Sequence, residues 1–138
     1  MKVSAHCGGF CQTNGYLVET TEGSVVIDAP EGMFNFCKQR DCKPTGLLLT
    51  HQHFDHIEDV SLFQQAGVRI YASAPFSPEL QLTDLAAKWG IPLTCPEFSV
   101  DEVFTAETSP IRINGIEFEP IPVPGHSPDS FVFHVALF

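Results

Sequence analysis

Apolar residues fall in short blocks bounded by glycine, proline or aspartate, and the spacing inside the blocks switches between a strand-like and a helix-like period. Tyr16-Leu17-Val18-Glu19 and Ser24-Val25-Val26-Ile27-Asp28 are β-prone runs joined by Thr20-Thr21-Glu22-Gly23, which predicts a hairpin with Asp28 ending its second strand. Glu31 to Arg40 puts Met33, Phe34 and Cys37 on one side and reads as a helix; Pro44 then separates it from a buried strand, Gly46-Leu47-Leu48-Leu49-Thr50. Ile57, Val60, Leu62 and Phe63 resume a helical spacing, so a helix is predicted over 55–66, stopped by Gly67, with a strand at 68–72. Ser77-Pro78-Glu79 opens a further helix running to about Trp89 before Gly90, and its Leu80, Leu82, Leu85 and Trp89 are assigned to core packing rather than to a partner surface. Ile111-Arg112-Ile113 and Ile116-Glu117-Phe118 flank Asn114-Gly115, the signature of a type I′ hairpin, and residues 118–123 lead into Pro124-Gly125-His126. Strand-like spacing returns over 131–138. This alternation predicts layered α/β architecture.

Composition adds bounds. The 138 residues, 43% hydrophobic with twelve Phe, suit a single domain over 1–138, and no repeat, low-complexity tract or linker divides them. A net charge of −10 and a pI near 4.8 give a field that repels phosphate backbones and anionic membranes, which argues against nucleic acid and membrane partners and for a small-molecule substrate. No apolar run approaches the roughly twenty residues a bilayer span needs. Five cysteines, an odd number, and an N-terminus without a secretory core predict reduced thiols and a cytoplasmic protein. Their expected role is that of small buried hydrophobes, since the spacings of Cys7 to Cys11 and Cys37 to Cys42 are looser than those of paired-cysteine zinc knuckles. His6 and His134, each isolated, read as structural.

The chemistry concentrates in Thr50-His51-Gln52-His53-Phe54-Asp55-His56. An apolar strand that delivers several metal-binding side chains to its C-terminal end matches the place where open α/β sheets hold their sites. If the chain stays extended, His51 and His53 share a face and can grip one ion. Asp55 and His56 follow at the turn into the next helix and point elsewhere, which predicts two adjacent metal positions. Imidazole and carboxylate ligands admit zinc, manganese or iron(II), with zinc as the default. Asp is also a common helix N-cap, but one carboxylate would serve that purpose and leave the three histidines unexplained.

The same stretch resembles the H-x-H-x-D-H signature of the metallo-β-lactamase-fold hydrolases. Tyr16–Glu19 with Val25–Asp28 upstream, and Pro124-Gly125-His126-Ser127-Pro128 downstream, fit that family in order, so the resemblance covers the whole chain. It implies an αββα sandwich, with this chain supplying the N-terminal half and the start of the second. It also implies His51, His53 and His126 as ligands of one metal, Asp55 and His56 as contributors to a second, and Asp28 as a supporting carboxylate. Family members carry a bridging aspartate on a later strand and a further histidine near the C-terminus; Asp129 and His134 do not occupy those places. Glu58-Asp59 stand where small residues are common, and Asp129 where glycine is usual. The apolar ending Val135-Ala136-Leu137-Phe138 reads as a fold cut midway, in which case a second copy would be expected to cover exposed strand faces.

The activity implied is hydrolysis of a small ester, thioester, lactone or amide of the glyoxalase II type. One or two metal ions would bring the pKa of bound water towards about 7, and Asp55 would act as catalytic residue by positioning the nucleophile or accepting its proton. Two alternatives stand beside it: an iron-dependent sulfur dioxygenase of the same fold, and a non-catalytic fragment that holds at most one metal well.

Overall fold

The computed structural model describes residues 1–93, 95–108 and 110–138, and its first sheet takes six strands in sequence order. β1 (Lys2–Gly8), β2 (Thr13–Thr20) and β3 (Gly23–Ile27) form an antiparallel meander that includes the predicted hairpin, with Val18 opposite Val25. β4 (Gly46–Leu48), β5 (Arg69–Ala72) and β6 (Glu102–Val103) continue the sheet in parallel. Every residue of β4 is buried, as expected for a parallel strand covered on both faces.

Alternation of the side chains sorts the two covers. Leu17, Val26, Leu47 and Ile70 face α1 (Met33–Gln39) and α2 (Val60–Gln65), whose Met33, Cys37, Val60 and Phe63 complete one core. Val18, Val25, Leu48 and Tyr71 face the other way, against a second sheet of β7 (Ile111–Ile113), β8 (Ile116–Pro122) and β9 (Phe131–Leu137). Ile116 and Phe118 point into that second core, while Glu119 and Ile121 point out. Asn114 (φ 53°) and Gly115 (φ 75°) join β7 to β8 with positive φ at both positions, as a type I′ turn requires. The layers are therefore helix, sheet, sheet. On the outer face of the second sheet Ile121, Val132 and Leu137 are exposed.

One close approach fixes the segment after β3 against the sheet. A Cβ on Gly15 would stand 2.8 Å from the Asp28 carbonyl oxygen, the Met33 sulfur and Pro30 Cδ, so only glycine lets residues 28–33 lie directly across β2.

The structure departs from the sequence pattern at several elements. β1 and β6 were not predicted; β1 has few large apolar residues, and its register comes from pairing with β2. The helix predicted over 55–66 is a 3-10 turn, Phe54–His56, followed by α2. Its backbone is claimed from outside: Ala29 N–H donates to the His56 carbonyl at 2.9 Å and Asp59 N–H to the Ala29 carbonyl at 2.9 Å. The helix predicted from Ser77 to Trp89 is likewise a 3-10 turn, Pro78–Leu80, and then α3 (Thr83–Lys88), broken at Leu82 with φ 59°. That break removes the continuous apolar face. Leu82 and Trp89 are 40% and 62% exposed, which corrects their assignment to the core, and Ala86 is the buried residue of α3. Gly67 (φ 88°) and Gly90 (φ 69°) do end their helices. All five cysteines are free thiols; Cys37 is buried, but Cys7 and Cys11 are exposed, contrary to the expectation that they pack as hydrophobes. No helix among the described residues is long and apolar enough to cross a membrane.

Candidate metal centre

The chain leaves β4 at Leu48 and carries His51, Gln52 and His53 along the end of the sheet with all three side chains buried. Backbone at His53 is extended (φ −59°, ψ 145°), and the His51 and His53 rings share a face with centroids 4.5 Å apart, as the spacing predicted. His126 arrives from the loop after β8, with its ring 5.0 Å from that of His51 and 4.6 Å from that of His53. One ring nitrogen from each of the three lies within 4.8 Å of the others. His53 Nδ1 and His126 Nε2 are 3.1 Å apart.

Hydrogen bonding selects the free nitrogen of His51. The Thr50 hydroxyl donates to Asp28 Oδ2 at 2.7 Å, so its single proton is committed. His51 Nδ1, 2.9 Å from that same hydroxyl, must then be the N–H that donates to it, which leaves the lone pair on Nε2. Among the described residues His51 Nε2 is buried with no hydrogen-bond partner. Burial, reinforced by neighbouring His56, pushes the His51 pKa down to about 4, and burial and His126 lower that of His53. Both rings are therefore neutral at pH 7, the form that ligates metal. An orphaned, neutral imidazole nitrogen on a ring grouped with two other imidazoles fits a divalent cation, and buried polar atoms seldom remain unsatisfied otherwise.

Asp55 and His56 stand beside this group, outside the three-histidine cluster. Asp28 is held in the left-handed region (φ 60°), where it accepts Thr50 N–H on Oδ1 at 2.8 Å and His56 Nδ1–H on Oδ2 at 2.7 Å. The Nε2 of His56 then faces Asp55 Oδ2 at 3.5 Å, and the His56 ring lies 4.1 Å from that of His51. Burial pulls the His56 pKa down, but the Asp28 hydrogen bond and the charges of Asp28 and Asp55 outweigh it, so the pKa is raised. Asp55 Oδ2 also accepts the Thr13 hydroxyl at 2.6 Å. His56 Nε2 and Asp55 offer a second place for a cation, adjacent to the first. Asn14, Tyr16, Ser130 and Phe131 join Asp28, His51, His56 and His126 around a cleft of about 400 Å³.

All five sequence-predicted ligands and Asp28 thus gather at one end of the sandwich. The pattern missed Thr13 and the linking role of Thr50. Thr13 lies 42 residues from Asp55 and is brought there by the position of β2, for which local sequence holds no signal. Away from the cleft, His6 Nε2 is 3.0 Å from the Glu31 carbonyl and His134 Nδ1 is 3.7 Å from Glu119.

Residues 8–137 match the sequence profile of the metallo-beta-lactamase superfamily. The chain is 32% identical over 129 residues to hydroxyacylglutathione hydrolase GloC of Haemophilus influenzae, covering 88% of this chain and 60% of that protein. Among solved structures, BLEG-1 B3 metallo-beta-lactamase superposes with a TM-score of 0.80 at 25% identity, and TTHA1623 in a di-iron-bound form with 0.73 at 33%. The matches cover 96% and 95% of this chain and 66% of each of those chains, so it spans about two thirds or less of the relatives it resembles.

Proposed function

The chain belongs to the metallo-beta-lactamase superfamily, and from that premise we propose that the protein is a metal-dependent hydrolase of a small thioester, with esters, lactones and amides as the wider class. His51, His53 and His126 would hold one divalent cation, and Asp55 with His56 would contribute to a second. When bound, such an ion supplies Lewis acidity and lowers the pKa of coordinated water towards about 7.

The chain's own groups supply the rest. Asp55, fixed through the Thr13 hydroxyl and 3.5 Å from His56 Nε2, supplies a carboxylate that would orient an attacking water and take up its proton. Asp28 fixes the tautomer of His51 through Thr50, so that its Nε2 stays free of a proton, and orients the His56 ring directly by accepting its Nδ1–H. The thioester preference rests on the likeness to hydroxyacylglutathione hydrolase GloC. Zinc is the first choice of metal, and the likeness to TTHA1623 in its di-iron-bound form supports iron as the second. Iron would favour a sulfur dioxygenase. A cytoplasmic location, supported by the free thiols, belongs to the same reading.

The observation that carries it is the convergence of three imidazoles, one ring nitrogen from each within 4.8 Å of the others, one ring being that of His51 with its orphaned Nε2. The protein purified with zinc should retain at least one ion per chain and hydrolyse an S-hydroxyacylglutathione thioester. His51→Ala should lose that ion and reduce kcat/KM by about 1,000-fold or more, in line with loss of the metal's contribution. Metal analysis and thioester cleavage measured together decide: a protein that holds no ion overturns the reading. Oxygen consumption with an iron-loaded protein and no hydrolysis would replace it by the dioxygenase. An ion held without either activity leaves a metal-binding protein.

A further inference from the structure

The loop that delivers His126 is almost bare of apolar anchors. Val123, Pro124, Gly125, His126 and Pro128 are all exposed, and its buried side chains are Ser127, Asp129 and Ser130. Asp129 is 8% exposed and reaches across to the other ligand segment: its Oδ2 accepts the backbone N–H of Gln52, between His51 and His53, at 2.9 Å. Its Oδ1 accepts the Ser127 hydroxyl, and its own carbonyl accepts the Ser73 hydroxyl at 2.7 Å.

Gln52 extends the same structure. Fully buried, its amide donates to the Ala74 and Pro75 carbonyls at 3.1 and 3.0 Å, and its carbonyl oxygen accepts Ser77 N–H at 3.0 Å. Residues 51–53, 73–77 and 126–130 are thus tied by one hydrogen-bonded network. We propose that Asp129 is a positioning residue that straps the His126 loop to the His51–His53 segment, through Gln52 on one side and Ser127 on the other. The inference rests on the reading of the three histidines as a metal site.

The physical case is that this polar strap holds the body of the loop to the segment that carries the other two imidazoles, beside a single backbone bond from Phe131 N–H to the Thr50 carbonyl at 2.9 Å where β9 begins. Bonds to an ionised carboxylate are among the stronger hydrogen bonds, and removing the acceptor would leave Gln52 N–H buried and unpaired. The loop, and His126 with it, would then sample positions away from His51 and His53. Substitutions of groups that orient ligands typically cost 10- to 100-fold in metal affinity.

The test compares the parent with Asp129→Ala and Asp129→Asn for zinc affinity by chelator competition, and for the visible absorption of bound cobalt(II), which reports the ligand set. Circular dichroism verifies folding. Asp129→Ala should weaken zinc binding by about 10-fold or more and alter the cobalt spectrum. Asp129→Asn keeps an acceptor for Gln52 N–H and can donate to Ser127 Oγ, so it should stay within about 3-fold of the parent with the parent spectrum. A folded Asp129→Ala chain that binds zinc as the parent does overturns the proposal. So does an Asn variant as weak as the Ala variant, since charge and not the strap would then be responsible. If Asp129→Ala does not fold, Ser127→Ala takes its place: weaker binding supports the strap, and unchanged binding overturns it. A parent that binds no zinc fails the metal-site reading itself, a result separable from unchanged binding in the variants.

Discussion

A single carboxylate oxygen, Asp28 Oδ2, takes the Thr50 hydroxyl and His56 Nδ1–H, both at 2.7 Å, and so sets the proton positions of two histidines at once. Neither effect is visible in the residue type, because it depends on Asp28 adopting φ 60° just after β3. Sequence resemblance placed Asp28 near the site; its partners came from the fold. The residue scale also governs the thiols. Cys37 lies in the helix-side core, where burial, with Cys42 nearby, pushes its pKa up from 9.0 to about 12. A raised folded-state pKa means that the folded chain holds this proton more tightly than the unfolded chain. Its contribution to stability is therefore complete below pH 9 and is lost as the pH climbs through 12. Urea midpoints should accordingly fall more steeply above pH 9 for the parent than for Cys37→Ala; parallel curves would refute the burial argument.

Elements were legible where one signal acted alone. The β2–β3 hairpin and the type I′ turn at Asn114-Gly115 follow from a few adjacent residues, and the structure keeps both. The two long predicted helices were cut because other chain segments competed for their backbone or because Leu82 took a left-handed conformation. The close crossing over Gly15 belongs to this scale as well. Gly15→Ala would drive a methyl group against the Asp28 carbonyl, Met33 and Pro30, all 2.8 Å from the built Cβ. It should destabilise the fold by about 1–3 kcal/mol, the usual range for overpacking, and weaken metal binding by shifting Asp28. Denaturant titration checks the first effect, and an unchanged midpoint would show that the segment from 28 to 33 yields easily.

At the scale of the whole molecule, net charge is the property that composition states directly. At −10 the chain repels anions, and two bound divalent cations would leave it negative. A glutathione thioester is itself anionic at neutral pH. Raising ionic strength from about 0.01 to 0.2 M should screen this repulsion and increase kcat/KM for that substrate by roughly 2- to 5-fold, while a neutral ester should show little change. Steady-state kinetics on both substrates test it. A fall in kcat/KM with salt would point to a local basic patch at the cleft mouth that outweighs the total charge.

Sequence alone determined the cluster of metal-binding side-chain types at 51–56, the shared face of His51 and His53, the tight hairpins and the alternation of helix and strand, because each depends on side-chain type and backbone period within about one turn or one strand. Resemblance added His126 and the sandwich. Only the tertiary structure decided which nitrogen of His51 stays free, how Thr13 reaches Asp55 and how Asp129 meets Gln52, the last two across separations of 42 and 77 residues. Those outcomes depend on strand register, on the close crossing over Gly15 and on which distant group satisfies each buried donor, and none of these is encoded in a local stretch of chain.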